Sequence, residues 1–87
     1  MEIKFSPTAL KDFVLIKKSH TKSTNNRLKR ILESMLETPY EGFGSPEALK
    51  HELTGKYSRE LSKKDRVVYS VHNEIIEVDS LLGHYFK

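Results

Sequence analysis

Arg66-Val67-Val68-Tyr69-Ser70-Val71-His72-Asn73-Glu74-Ile75-Ile76-Glu77-Val78-Asp79-Ser80-Leu81-Leu82 carries the strongest strand signal in the chain. Arg66 to His72 and Ile75 to Leu82 are rich in β-branched and aromatic residues, and only Asn73-Glu74 separates them. That is the length of a tight hairpin turn between two antiparallel strands. Side chains alternate across a strand, so Val67, Tyr69 and Val71 share one face while Arg66, Val68 and Ser70 share the other. If the first set faces the core, Ile76, Val78 and Leu82 match it on the next strand, Glu77 and Asp79 face out, and Arg66 stands on the open side. Continued alternation turns Tyr85 outward and His84 inward. Gly83 can break the pleat just before that pair, which leaves the direction of His84 open.

Working back from the hairpin, Ser62 to Asp65 is a charged turn and Tyr57 to Leu61 a strand entered from Thr54-Gly55. A further short strand is expected around Leu49 to Leu53, and Tyr40 to Pro46, with two glycines and a proline, is a loop. Upstream of the loop, Leu28, Ile31, Leu32, Met35 and Leu36 follow the i, i+3, i+4, i+7, i+8 spacing of a core-facing helix stripe. Thr24 or Asn25 can cap this helix and Thr38-Pro39 ends it. Before a polar turn at Ser19 to Ser23, Ala9, Leu10, Phe13, Val14 and Ile16 mark an earlier helix running to about Lys18. Ser6-Pro7 supplies its cap and first position. Met1 to Ser6 alternates as a short strand. The expected fold is α+β in one domain spanning 1–87: a strand, a helical hairpin, then antiparallel strands, with the hairpin on one face of the sheet.

Bulk properties bound the function. The chain has 87 residues, no cysteine and a formal charge of +3, with a pI near 9.2. No thiolate metal site or disulfide framework is available. No apolar run is long enough for a membrane span, and Met1 leads into Glu2-Ile3-Lys4-Phe5 without a signal segment, so a soluble, cytoplasmic chain with no membrane partner is expected. The basic balance favours a polyanion such as RNA, or an acidic protein partner.

Ser45 to Arg66 gathers the chemistry: an acid (Glu47), cations (Lys50, Arg59, Arg66) and a histidine (His51), with His84-Tyr85 closing the strand pair. Metal-free RNA cleavage needs a base for the ribose 2′-hydroxyl, an acid for the departing 5′-oxygen and fixed cations on the phosphate. Glu47 can serve as base, Lys50, Arg59 and Arg66 as cations, and His84 as an acid whose ordinary pKa is near neutrality. Tyr85 can stack on a base or orient the phosphate. Each residue also has a plainer reading. Glu47 after Ser45-Pro46 can simply favour a helical turn, Arg66 can be a solvated strand charge, and His84-Tyr85 a polar tail. His51 can be a core-edge histidine, while His20 and His72 look like surface turn residues.

The run Thr38-Pro39-Tyr40-Glu41-Gly42-Phe43-Gly44-Ser45-Pro46-Glu47-Ala48-Leu49-Lys50-His51-Glu52-Leu53-Thr54-Gly55 resembles the YoeB/Txe family of bacterial toxins, in the RelE-like superfamily. So do Tyr57-Ser58-Arg59, Arg66-Val67-Val68-Tyr69-Ser70-Val71 and Gly83-His84-Tyr85. The resemblance implies a RelE-like (microbial RNase-like) fold. It also implies a ribosome-dependent endoribonuclease that cuts messenger RNA in the decoding site without metal or other cofactor. By position Glu47 matches the family's general base, Arg66 its phosphate-stabilising arginine, His84 its general acid and Tyr85 its substrate-orienting aromatic. Lys50, His51, Tyr57 and Arg59 match positions at the RNA or ribosome surface. Tyr57 stands where the best-known relative has tryptophan, Glu60 where it has arginine, and Phe86-Lys87 extends past the pair that ends it.

The implied partners are messenger RNA, the ribosome, a second copy of the chain and a cognate antitoxin of the YefM/Phd kind. The antitoxin's acidic and apolar carboxyl-terminal segment would wrap the toxin, and operator DNA would be met only through that complex. Two other classes stay in view: a binding toxin on the same scaffold, like the gyrase-poisoning branch, and a generic RNA-binding domain. A pure binder does not need Glu47, Arg66, His84 and Tyr85 together. An RNA-binding platform would interleave aromatics along a strand, which this chain does not do.

Overall fold

A computed structural model describes residues 1–19 and 21–83. Strand β1 (Glu2–Phe5) leads through Ser6 into helix α1 (Pro7–Ser19). The Ser6 hydroxyl accepts from the Ala9 N–H at 3.0 Å and donates to the Asp79 carbonyl at 2.7 Å, so the helix cap is also tied to the sheet. Helix α2 (Lys22–Glu37) follows. Strands β2 (Glu47–Ala48), β3 (Lys56–Glu60), β4 (Arg66–His72) and β5 (Ile75–Ser80) complete the chain order. The sheet runs β1-β5-β4-β3-β2; β1 is parallel to β5 and the other pairs are antiparallel. The α+β expectation, with the helical hairpin on one face, holds.

One core lies between helices and sheet, built from Ala9, Ile16, Leu28, Ile31, Met35, Val67, Tyr69, Ile76 and Val78 with others at its edge. The parity read from the sequence is observed for Val67, Tyr69, Val71, Ile76 and Val78, but past the end of β5 it is Leu81, not Leu82, that is fully buried in the core. Val68 and Ser70 are also covered, although they face away from the helices. Lys56 on β3 forms an ion pair with Asp79 at the end of β5, so its side chain spans the intervening strand β4.

Several boundaries differ from the sequence reading, each for a local reason. Helix α2 begins earlier than Thr24 or Asn25 because Thr21 is its cap, accepting from the Thr24 N–H at 3.2 Å. The strand expected around Leu49 to Leu53 is replaced by the two-residue β2 and a 3-10 turn at His51–Leu53. His51 there adopts a φ of 60°, and the Thr54 hydroxyl donates to its carbonyl at 2.7 Å, which closes the turn. On α1 the buried positions are Ala9, Asp12 and Ile16, whereas Leu10 and Val14, expected on the core stripe, are about half exposed (52% and 51%). Strand β5 stops at Ser80 rather than Leu82 because the buried Asp12 carboxylate accepts the Leu81 and Leu82 N–H groups at 3.0 and 3.3 Å. Those amides are bonded to a helix side chain and have left the strand ladder.

Arg59 is the main correction. The sequence places it among surface cations for RNA; the structure buries it completely on the helix side of β3. Its Nε donates to the Tyr69 hydroxyl at 3.0 Å and Nη1 to Ser34 Oγ and the Phe43 carbonyl at 2.8 and 2.9 Å. Nη2 donates to the Thr38 and Glu41 carbonyls at 2.6 and 3.0 Å. Tyr69 in turn donates to the Pro39 carbonyl at 2.7 Å. Gly44 packs directly on the arginine stem: with φ +93°, an added Cβ would lie 3.2 Å from that of Arg59.

Burial pushes the Tyr69 phenol above its ordinary pKa of 10.0, partly opposed by the Arg59 hydrogen bond and charge. In the unfolded chain this phenol ionises at its ordinary value, so the unfolded state releases its proton first as pH rises. The stability contributed by neutral Tyr69 is therefore complete below pH 10.0 and declines through the interval up to the raised folded value. Urea unfolding followed across alkaline pH should show this loss. Tyr69→Phe should be less stable at neutral pH by about 1–3 kcal/mol, since buried partners lose a hydrogen bond, yet have a shallower alkaline decline. Equal alkaline slopes in both proteins would contradict this role of the phenol.

Candidate active site

The face of the sheet turned away from the helices carries the acid and the cation singled out in the sequence. Glu47 pairs with Ser58 across β2 and β3, and Ser58 pairs with Val68 across β3 and β4, so these residues share a face with Arg66 two positions earlier. The Arg66 side chain crosses β3 to reach the acid: its Nη2 lies 3.4 Å from Glu47 Oε1, while Nε donates to Ser58 Oγ at 2.8 Å. Glu47 is open to solvent, with 69% of its side chain exposed, against 28% for Arg66. A guanidinium has five N–H donors. Ser58 uses one and the carboxylate takes part of the fork, leaving donors for an incoming phosphate.

Ser58 is the residue that sequence reasoning did not single out. It is completely buried and fixes the Nε edge of Arg66, which sets the plane in which the remaining donors lie. The available signal was strand pairing: Ser58 falls on the same face as Arg66 only once the register between β3 and β4 is known.

The described chain reaches Gly83 beside the Arg66 backbone. An added Cβ on Gly83 would lie 3.0 Å from the Arg66 backbone nitrogen, and its φ is +63°, so a residue with a side chain would be strained as well as crowded. His84 and Tyr85 come next in sequence and, like His20, lie outside the described residues. Lys50 and His51 are exposed at and just after the exit of β2. Tyr57 stands on the opposite face, half-buried between Tyr40 and Tyr69 with ring centroids 5.1 and 6.0 Å away. Arg59, as described above, is inside the core. The structure thus brings Glu47 and Arg66 together, adds Ser58, and separates Tyr57 and Arg59 from them.

The family model described as the YoeB-like toxin of bacterial type II toxin–antitoxin systems matches residues 5–85. This chain belongs to that family. A toxin named YoeB from Escherichia coli O6:H1 is 36% identical over 59 residues, 68% of this chain and 70% of the relative. Among solved structures, the YoeB dimer from Staphylococcus aureus superposes with a TM-score of 0.86 at 35% identity, covering 98% of each chain. A chain of the heterotetrameric YoeB–YefM toxin–antitoxin complex from the same organism gives 0.84 at 36% identity, covering 95% of each. The architecture is that of the RelE-like toxins, and the fold expectation is met. Among the described residues no helix is long and apolar enough to cross a membrane.

Ser58→Ala tests the bracing of Arg66. Losing a hydrogen bond to a charged group costs about 1.5–3 kcal/mol, so toxicity or cleavage that depends on Arg66 should fall by about tenfold or more. The fold should survive, because the hydrogen-bond partner of the serine hydroxyl among the described residues is the partly exposed Arg66. Activity equal to wild type would mean that Arg66 keeps its orientation without Ser58.

Proposed function

We propose that this toxin is a ribosome-dependent endoribonuclease that cuts messenger RNA in the decoding site and so stops translation. The observation that carries the reading is the solvent-open Glu47 carboxylate set 3.4 Å from a guanidinium that Ser58 holds in place. Glu47 takes the proton of a ribose 2′-hydroxyl. The freed oxygen attacks the adjacent phosphorus, and Arg66 donates to the non-bridging oxygens as negative charge accumulates on them. His84 gives a proton to the 5′-oxygen as the P–O bond breaks, leaving a 2′,3′-cyclic phosphate and a free 5′-hydroxyl. Tyr85 orients the phosphate. Every atom of this sequence comes from RNA and from side chains of this chain, so the step balances without a cofactor.

Lys50, His51 and Tyr57 are the proposed further contacts to RNA or ribosome; Arg59 leaves that set because it is buried. The partners proposed with this activity are a second copy of the chain and a cognate antitoxin. They follow the Staphylococcus aureus relative, whose structures are a YoeB dimer and a YoeB–YefM complex. The antitoxin segment is expected to be acidic and apolar and to fold on a basic surface. The place of action is the cytoplasm, where the ribosomes are.

Expression of the chain should arrest growth, and Glu47→Ala combined with His84→Ala should relieve the arrest. Arg66→Ala should slow single-turnover cleavage on the order of 10²-fold, as loss of one oxyanion donor does. Growth arrest that survives the double change, at equal expression, would sink the catalytic reading and favour a toxin that acts by binding.

A further inference from the structure

We propose that Arg27, Arg30 and the Phe43 ring form a second anion site, which takes a backbone phosphate of RNA and continues the candidate active site around the end of β3. This inference rests on the RNA-cleaving reading but concerns different residues, on the other side of the sheet.

Both guanidiniums lie against one ring. The Arg30 guanidinium carbon is 4.0 Å from the Phe43 centroid and that of Arg27 is 4.7 Å away. They border a recess of about 260 Å³ whose remaining walls are Ser23 and Asn26. A hydroxyl, an amide and two planar forks around one hollow are the donor set that fits a phosphate. Among the described residues neither arginine pairs with a carboxylate, unlike Arg66, which pairs with Glu47. The first turn of α2, where Ser23 stands, carries no acid either, and its helix-end partial charge adds to the positive field. Two like charges three residues apart on a helix repel each other. An anion shared between them removes that repulsion.

The recess is fixed to the candidate active site through Glu60. Arg27 Nε donates to the Glu60 carbonyl at 3.0 Å, and Glu60 is the register partner of Arg66. Exposed Lys63 and Lys64 lie in the turn between those two residues. Lys63 and Lys64, in a turn that also carries Asp65, thus lie along the chain between Glu60, which Arg27 holds, and Arg66, a placement of cations suited to a polynucleotide, whose charges recur along its length. An isolated carboxylate or a short acidic segment would need only part of that set. Phosphates of the cleaved strand and of ribosomal RNA share this chemistry.

The test compares wild type with Arg27→Ala/Arg30→Ala, with Arg30→Ala alone as a variant at an exposed position, and with Arg27→Lys/Arg30→Lys, which keeps charge but loses the fork. Binding is measured to a short fluorescent RNA made uncleavable by a 2′-deoxy substitution, to ribosomes without message, and to an oligoglutamate peptide. Runs at about 50 and about 200 mM salt give the slope of log K against log salt. The double alanine variant should bind RNA about 10-fold or more weakly, with a salt slope smaller by about 1–2, and the lysine pair should recover only part of the loss. A loss confined to the short RNA assigns the site to the substrate strand; a loss on ribosomes alone assigns it to ribosomal RNA. Unchanged RNA affinity and slope in the double and single variants would overturn the proposal, as would a loss seen for oligoglutamate only. Absence of RNA cleavage by wild type would instead count against the catalytic reading.

Discussion

Arg59 is a guanidinium buried away from solvent and, among the described residues, in no ion pair with a carboxylate, and the fold depends on how that cost is met. Burying a guanidinium costs several kcal/mol unless its donors find partners. Here they find the Tyr69 and Ser34 hydroxyls and the carbonyls of Thr38, Glu41 and Phe43. Thr38 is the C-cap of α2, where the partial charge of the helix is negative and a cation is favoured. One side chain thereby joins the end of the second helix, the loop after it and the middle of the sheet. The loop then delivers Glu47 onto β2 next to Ser58. A cation that sequence reading assigns to RNA acts instead through position, by holding the segment that carries the acid.

The two faces of β3 divide this labour. Tyr57 and Arg59 point to the helices and the aromatic stack; Lys56, Ser58 and Glu60 point away. Ser58 braces Arg66, Glu60 pairs with Arg66 across the ladder, and Arg27 reaches the Glu60 backbone from the helix side. The same strand therefore connects the core arginine, the arginine beside the acid and the arginine pair over Phe43. A slip of one residue in this register would exchange the two faces and bury Ser58 among apolar side chains.

Much of this was legible in the sequence because it depends on local pattern. The hairpin of β4 and β5, the helix stripe from Leu28 to Met35 and the Ser6-Pro7 start of α1 all follow from spacing and capping chemistry. Glu47 and Arg66 could be named from residue type and family resemblance, and parity alone put Arg66 on the open face. What failed required distant partners. Asp12 is buried because amides near the far end of the chain need an acceptor, and Arg59 is buried because a helix end and a loop surround it. Leu10 and Val14 carry a helical signal, but the sheet covers a different side of α1. The parallel pairing of β1 with β5 likewise has no local signature.

Cleavage of a defined messenger RNA by the purified protein, with and without programmed ribosomes and in the presence of a metal chelator, tests whether Glu47 and Arg66 serve catalysis. Cuts that resist the chelator, require the ribosome and leave a 2′,3′-cyclic phosphate are the predicted result. An intact message in both reactions, from protein that still binds ribosomes, would contradict it and leave Glu47 and Arg66 as parts of a binding surface.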